Sequence, residues 1–159
     1  MDKITVRDAR HDEAAFIVQM IRRMVVDMAS YGGNTPATDG AAWEKIVVAI
    51  AGELKGNNVK YLVAESANGE PIGVAGAELT TLGGAFAPKK TLHISVVYVV
   101  PLLRRGGIGG RLIAKLLDWG RAAGCELCDL NVLSGNPARS LYERCGFSVS
   151  EVKMVRSLV

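Results

Sequence analysis

The 159-residue chain contains no uninterrupted apolar run of the length a bilayer-crossing helix needs, roughly 18 residues or more, so no membrane partner is expected. The opening segment Met1-Asp2-Lys3-Ile4-Thr5-Val6-Arg7 lacks the apolar block of a secretion leader. It alternates polar and apolar residues like a strand, and a cytoplasmic location is the expectation. Cysteine is scarce: Cys125, Cys128 and Cys145 are an odd set, which argues against a disulfide framework. Cys125 and Cys128 form a C-x-x-C, but no second such pair exists, and the two histidines, His11 and His93, lie far away in sequence. Both cysteines fall at the start of an expected strand, where positions three apart face opposite ways. They read as packing thiols, and no metal site is expected. Charge of one sign is also lacking. A net charge of +3 suits a protein that handles phosphorylated ligands and is too weak for a nucleic-acid footprint. No glycine is followed by Lys-Ser or Lys-Thr, which excludes a P-loop.

The composition that is present, 49% apolar and 22% charged, is that of a folded globular chain. One domain over residues 1–159 is the expectation. Residues 3–8 read as a strand. From His11 to about Tyr31, Phe16, Ile17, Met20, Ile21, Met24, Val25 and Met28 recur at helical spacing, and Gly32-Gly33 supplies the stop. A polar loop over 34–40 precedes a second helix at 41–54. A strand at 59–65 and a return strand at 71–82 flank the turn Asn68-Gly69; Gly73 and Gly76 signal close backbone approach or bending. After a connection at 83–90, residues 92–100 are the most strand-like run, rich in β-branched residues. A helix over 107–123 closes at Gly124, and a strand follows at 126–132. Asn136-Pro137, an N-cap and first-turn pair, opens a helix that ends near Cys145-Gly146. Residues 147–151 and 153–158 read as closing strands. The order β-α-α-β-β-β-α-β-α-β-β predicts an α/β (α+β) fold, a mixed sheet with helices on both faces.

The strongest chemical signal follows the strand at 92–100. Pro101 ends it, and Arg104-Arg105-Gly106-Gly107-Ile108-Gly109-Gly110-Arg111 leads into an amphipathic helix. A glycine-rich loop at a helix N-terminus offers unpaired N–H groups and the positive end of the helix dipole, a ready site for phosphate or pyrophosphate. The three arginines are candidates for charge-assisted bonds to it. A dinucleotide fingerprint is a rival, since Gly107-x-Gly109 is present and Asp129 stands at the distance of a ribose-binding acid. It is weakened by Leu112 in place of the third glycine.

The run from Val99 to Gly109 resembles the acetyl-CoA loop of the GNAT superfamily of N-acetyltransferases, Gln/Arg-x-x-Gly-x-Gly/Ala, with Arg104, Gly107 and Gly109 in its fixed places. The block Asn136-Pro137-Ala138-Arg139-Ser140-Leu141-Tyr142-Glu143-Arg144-Cys145-Gly146-Phe147 resembles the family's second cofactor segment. The element order matches throughout, most specifically over residues 92–147. The resemblance implies a mostly antiparallel central sheet with a V-shaped splay between strands 4 and 5. It implies acetyl-CoA as cosubstrate, with the phosphates held by Arg104, Arg105, Gly106, Gly107, Ile108, Gly109, Gly110 and Arg111. Main-chain groups of Tyr98, Val99 and Val100 would hold the pantetheine arm, with an N–H near Val99 polarising the thioester. Asn136 and Arg139 belong to the second cofactor segment, and Tyr142 would be the general acid.

The resemblance also implies an amine acceptor, attacked directly in a ternary complex. Many members carry a glutamate as base on the strand before the loop; here Ser95 stands in that place. His93, Glu78 acting through water, and bulk water are the candidates left. An acetyl-cysteine route through Cys145 is chemically possible but is not the family's usual one. Acceptor choice would lie in Met24 to Lys45, with Asp27, Tyr31, Asp39, Trp43 and Glu44, and a homodimer through the closing strands is plausible. Two alternatives remain: an acyl-CoA-binding module without catalysis, motivated by the missing acid, and a nicotinamide-dinucleotide binder.

Overall fold

Two long segments, one rich in alanine and glycine and the other in valine, make the centre of the molecule. The computed structural model describes residues 4–159, so the expected beginning of the first strand at Lys3 lies outside the described residues. Strands β1 (Thr5–Asp8), β2 (Val59–Glu65), β3 (Pro71–Leu82), β4 (Lys89–Val99) and β5 (Leu127–Leu130) form one sheet in sequential order. The first four run antiparallel, and β5 lies parallel to β4. The helices are α1 (Ala14–Ala29), α2 (Gly40–Glu53), α3 (Ile108–Ala122) and α4 (Arg139–Arg144).

Helices cover both faces because alternate strand residues are apolar on each side. Leu92, Ile94, Val97 and Val99 of β4 pack with Ile108, Leu112, Ile113 and Leu116 of α3 and with Leu141 and Tyr142 of α4. Val96 and Tyr98 face the other way, with Val63, Val74 and Met20 of α1. Trp43 and Ile50 of α2 join Ile17 and Tyr61 in a further cluster on the α1 side. Ile94 and Val97 share a face although three residues apart, because a β-bulge intervenes. The register passes from Gly76↔Val96 to Ala77↔Ile94 and leaves Ser95 as the extra residue.

The stops expected at glycine are present. Gly32, Gly124 and Gly146 adopt left-handed backbone angles, with φ of 86°, 80° and 91°. The next N–H in each case reaches back five residues, Gly33 to Met28, Cys125 to Gly120 and Phe147 to Tyr142. This is the Schellman closure, and it ends α1, α3 and α4 alike.

Three expectations need correction. Residues 147–151 and 153–158 form no strands; from Phe147 to Val159 no regular structure is present. A hairpin between the two runs would have Val152 as its whole turn, one residue short of the tightest common loop. β-propensity is realised only where a ladder partner and a buried face exist, and Val149, Val152, Met154, Val155 and Leu158 are exposed. The regular part of α4 begins at Arg139, not at Asn136. The cap bond itself forms, with Asn136 Oδ1 accepting from the Ala138 N–H at 2.9 Å. The first turn is tighter, however, since the Arg139 N–H bonds the Asn136 carbonyl three residues back. Finally, β5 begins at Leu127, so strand alternation does not reach Cys125. Cys125 and Cys128 both pack on the α3 side of the sheet. Burial, helped by Asp129 and Cys125, pushes the Cys128 thiol up to about 12, so it is no thiolate at neutral pH. Among the described residues no cluster of His, Cys, Asp and Glu could hold a metal ion.

One ionic cluster ties β1 to the rest. Arg7 donates to Glu13 Oε1 at 2.6 Å, to Glu13 Oε2 at 2.8 Å and through Nε to Glu65 Oε1 at 2.8 Å. The bond from Arg7 outweighs burial and holds the Glu13 carboxyl below its usual 4.5. A depressed folded value means the stabilisation is present above 4.5 and is lost as pH falls through the folded value. Chemical denaturation between pH 6 and about 3 is therefore expected to show a loss of stability that is smaller in an Arg7→Met variant, where the Asp8 carboxyl, also held down by its bond from Lys60, still contributes.

Candidate functional site

Beyond Ile94↔Leu130 the parallel pairing of β4 with β5 stops, while β4 continues to Val99. β5 itself ends at Leu130, short of the expected 132, so beyond this rung the edge of β4 has no strand beside it, and that gap is the split. Backbone accounting shows which groups line the opening. The Val100 N–H donates to the Ile72 carbonyl at 3.0 Å. In an antiparallel ladder the hydrogen-bonding direction alternates, so Tyr98 and Val100 address β3, while Val97 and Val99 address the split. The Val99 carbonyl is already taken, accepting from Arg104 Nε at 2.8 Å. The Val97 N–H and carbonyl and the Val99 N–H are therefore the polar groups β4 turns toward the opening. Of the expected trio Tyr98, Val99 and Val100, only Val99 faces it. Val97 faces it as well, a direction the sequence does not show because it depends residue by residue on the ladder with β3.

The loop at the open end begins with a 3-10 turn at Pro101–Leu103. Arg105 (φ 67°) and Gly107 (φ 78°) both take left-handed angles, and Gly107 caps α3 without a side chain. The Arg111 N–H is the first of α3 to find an intrahelical partner, the Gly107 carbonyl. Among the described residues the N–H groups of Arg105, Gly106, Gly107, Ile108, Gly109 and Gly110 have no intramolecular acceptor. This is a row of donors at the positive end of a 15-residue helix, which fits a pyrophosphate. Gly109 also packs: a Cβ there would lie 2.8 Å from Leu141 Cδ2, so its lack of a side chain lets α4 close against α3.

The arginines behave differently from expectation. Arg104 turns inward. Its Nη2 meets Asp27 Oδ2 of α1 at 2.6 Å, and its guanidinium lies 5.2 Å from the Tyr98 ring centroid. Burial opposes its charge, but the Asp27 carboxylate more than offsets this and its pKa is raised. Arg111 reaches back to the Ile4 carbonyl at 2.8 Å. Arg139 pairs with Glu143 at 2.9 Å on the surface of α4. Only Arg105 of the three loop arginines has no side-chain partner among the described residues. The loop thus offers mainly backbone donors, with Arg104 and Arg111 fastening it to α1 and to the residue before β1.

Tyr142, on α4, packs against the α3-side core and meets Phe147 edge-on, with ring centroids 6.2 Å apart. Burial, and secondarily Cys145, raises its pKa, so the phenol keeps its proton at neutral pH. Across the narrow end of the split, His93 Nδ1 and Asp129 Oδ1 are 2.6 Å apart. Glu78 is the strand partner of His93 on the other side. Ser95 donates its hydroxyl to the Gly76 carbonyl at 3.3 Å and is not a base.

On the α1 side, a shallow cavity of about 380 Å³ is lined by Gln19, Arg22, Arg23, Val26, Asp27 and Tyr98. It overlaps the expected acceptor region at Val26 and Asp27. Two other candidates there serve the fold: Asp39 caps α2 by accepting from the Ala41 N–H, and the buried Trp43 donates Nε1–H to the Ala37 carbonyl.

A bulged strand with a free backbone edge, running to an N–H-rich helix terminus, suits an elongated ligand with an anionic end. Residues 24–147 match the model of the Acetyltransferase (GNAT) family, and the chain belongs to that family. A Clostridium acetobutylicum protein described as a predicted acetyltransferase, solved with acetyl-CoA, superposes with a TM-score of 0.79 at 18% identity, over 98% of this chain and 97% of that one. The aminoglycoside N-acetyltransferase AAC(6')-Iy in complex with CoA gives 0.74 at 18% identity, over 100% and 97%. Glucosamine-6-phosphate N-acetyltransferase from Arabidopsis thaliana gives 0.70 at 16%, over 99% of each chain. At such identities the likeness shows the fold. No curated protein sequence matches the chain. No helix among the described residues is long and apolar enough to cross a membrane.

Proposed function

We propose that the chain, acting as one domain over residues 1–159, transfers an acetyl group from acetyl-CoA to a primary amine of a small molecule or peptide. The observations that carry this reading are the unpaired edge of β4 beyond β5, the run of free loop N–H groups at its end, and a half-buried, protonated tyrosine on α4 packed against the same core. The pyrophosphate is held by the N–H groups of residues 105–110 with the Arg105 side chain. The pantetheine amides pair with the split-facing groups of Val97 and Val99. A main-chain N–H there stabilises the oxygen on which charge develops during acyl transfer. Tyr142 donates a proton to the departing thiolate, in keeping with its burial. Asn136 caps the turn that sets α4, and so sets Tyr142, in place. The cavity beside α1 receives the acceptor.

Melting in the presence of acetyl-CoA, CoA or NAD tests the donor. A ligand at about 100 times its dissociation constant stabilises the folded state by about 2.7 kcal/mol, several degrees for a chain of this size. A shift with acetyl-CoA and CoA, smaller at high salt, and none with NAD is the expected result. A shift with NAD alone would overturn the reading. Release of free CoA thiol with a panel of primary amines then separates an enzyme from a module that only binds acyl-CoA.

A further inference from the structure

We propose that His93 is the general base that deprotonates the acceptor amine and that Asp129 is the positioning residue that prepares it. The assignment rests on the acetyl-transfer reading above and adds to it the group that the sequence left open. The parallel register sets His93 of β4 opposite Asp129 of β5, and their side chains meet at 2.6 Å. An ionised carboxylate only accepts hydrogen bonds, so Nδ1 carries the imidazole proton and Nε2 keeps its lone pair. Strand alternation fixes the direction. Leu92 and Ile94, on either side of His93, point into the α3-side core, so His93 points to the face covered by α1 and α2. The acceptor cavity opens on that same face, beside Tyr98.

His93 and Asp129 form the rung next to the last before β4 and β5 part, the narrow end of the split. A ligand anchored by its phosphates at the loop directs its far end toward them. The imidazole side chain is 27% exposed, and it lies five residues along β4 from Tyr98 of the cavity, so the acceptor has to extend from the cavity along this face to meet it. The titratable groups facing it from the flanking strands are Asp129 on β5 and Glu78 on β3, both acidic. The Tyr61–Glu53 hydrogen bond lies beyond Glu78, joining β2 to α2.

The proton balance closes. Nε2 removes one proton from the ammonium form of the acceptor and passes it to solvent, which frees the nitrogen lone pair. The C–N bond forms as the C–S bond breaks. The proton that nitrogen sheds on becoming an amide replaces the one Tyr142 gives to the thiolate.

The test compares the wild type with His93→Gln and Asp129→Asn in steady-state acetylation from pH 5.5 to 9.5. Acetyl-CoA melting shifts serve as the control for folding and donor binding. His93→Gln is expected to lower kcat/KM for an ordinary alkylamine by about 100-fold or more at neutral pH, with an unchanged acetyl-CoA shift. The pH profile of that variant should follow the ionisation of the amine alone. The deficit should shrink on a weakly basic amine such as hydroxylamine, which needs no base. Asp129→Asn, which can turn an N–H toward Nδ1 and reverse the tautomer, should cost roughly 10- to 100-fold, with Asp129→Glu partly restoring the rate. A role in folding alone would lower stability without this dependence on pH and on amine basicity. If the wild type transfers acetyl groups and His93→Gln matches it at every pH, the base assignment falls and acetyl transfer stands. If the wild type binds acetyl-CoA but acetylates no amine, both readings fall.

Discussion

Changing Tyr142 to phenylalanine is expected to lower kcat for acetyl transfer by about 100-fold, the usual worth of a positioned general acid. The acetyl-CoA melting shift should stay the same. The ring is held between the α3-side core and Phe147, contacts that phenylalanine keeps. What the substitution removes is one hydroxyl whose proton the surroundings hold on. A thiolate leaving group gains from that proton as the C–S bond breaks, whereas the bound thioester does not. The loss therefore falls on kcat, and about 100-fold corresponds to about 2.7 kcal/mol of transition-state stabilisation. Single-turnover measurement with saturating acetyl-CoA checks it. A rate within twofold of the wild type would take Tyr142 out of the reaction.

The second large effect is expected at Gly73, in β3 behind the split. A Cβ there would stand 2.9 Å from the Tyr98 carbonyl oxygen and 3.3 Å from Val99 Cγ2. The first of these is backbone and cannot swing aside. Gly73→Ala must therefore push β4 toward the opening it lines. Overpacking of this kind costs about 1–3 kcal/mol, which for this chain length lowers the melting temperature by several degrees. Because Val99, one of the two displaced residues, faces the split, acetyl-CoA stabilisation should weaken as well. Gly83→Ala is the matched control, since a Cβ at Gly83 meets nothing within 4 Å. Equal melting temperatures for the two variants would show that β3 and β4 can shift without cost.

Most of the architecture was legible because it rests on local rules. The glycine stops after α1, α3 and α4 and the start of α3 at Gly107 are encoded within a few residues of where they act. The bend expected from Gly76 coincides with the bulge opposite Ser95, where a Cβ would meet the Tyr61 ring at 2.6 Å. What was not legible depends on partners far along the chain. Arg104 finds Asp27 and Arg111 finds the Ile4 carbonyl, 77 and 107 residues away. Nothing near the loop marks either of these partners. The pairing of His93 with Asp129 is likewise a product of sheet register. The closing strands failed for the converse reason: residues 147–158 have the composition of strands but no neighbour to pair with.

The split between β4 and β5 has a consequence for how such a chain can change. Whatever lies against β4 there meets peptide groups, and every residue except proline supplies the same peptide group. Mutation at positions 97 or 99 to another strand-forming residue leaves that contact chemistry untouched. On the proposed reading the donor side is thus written in topology, and the face toward α1 and α2 is free to vary its side chains from one acceptor to another without rewriting it.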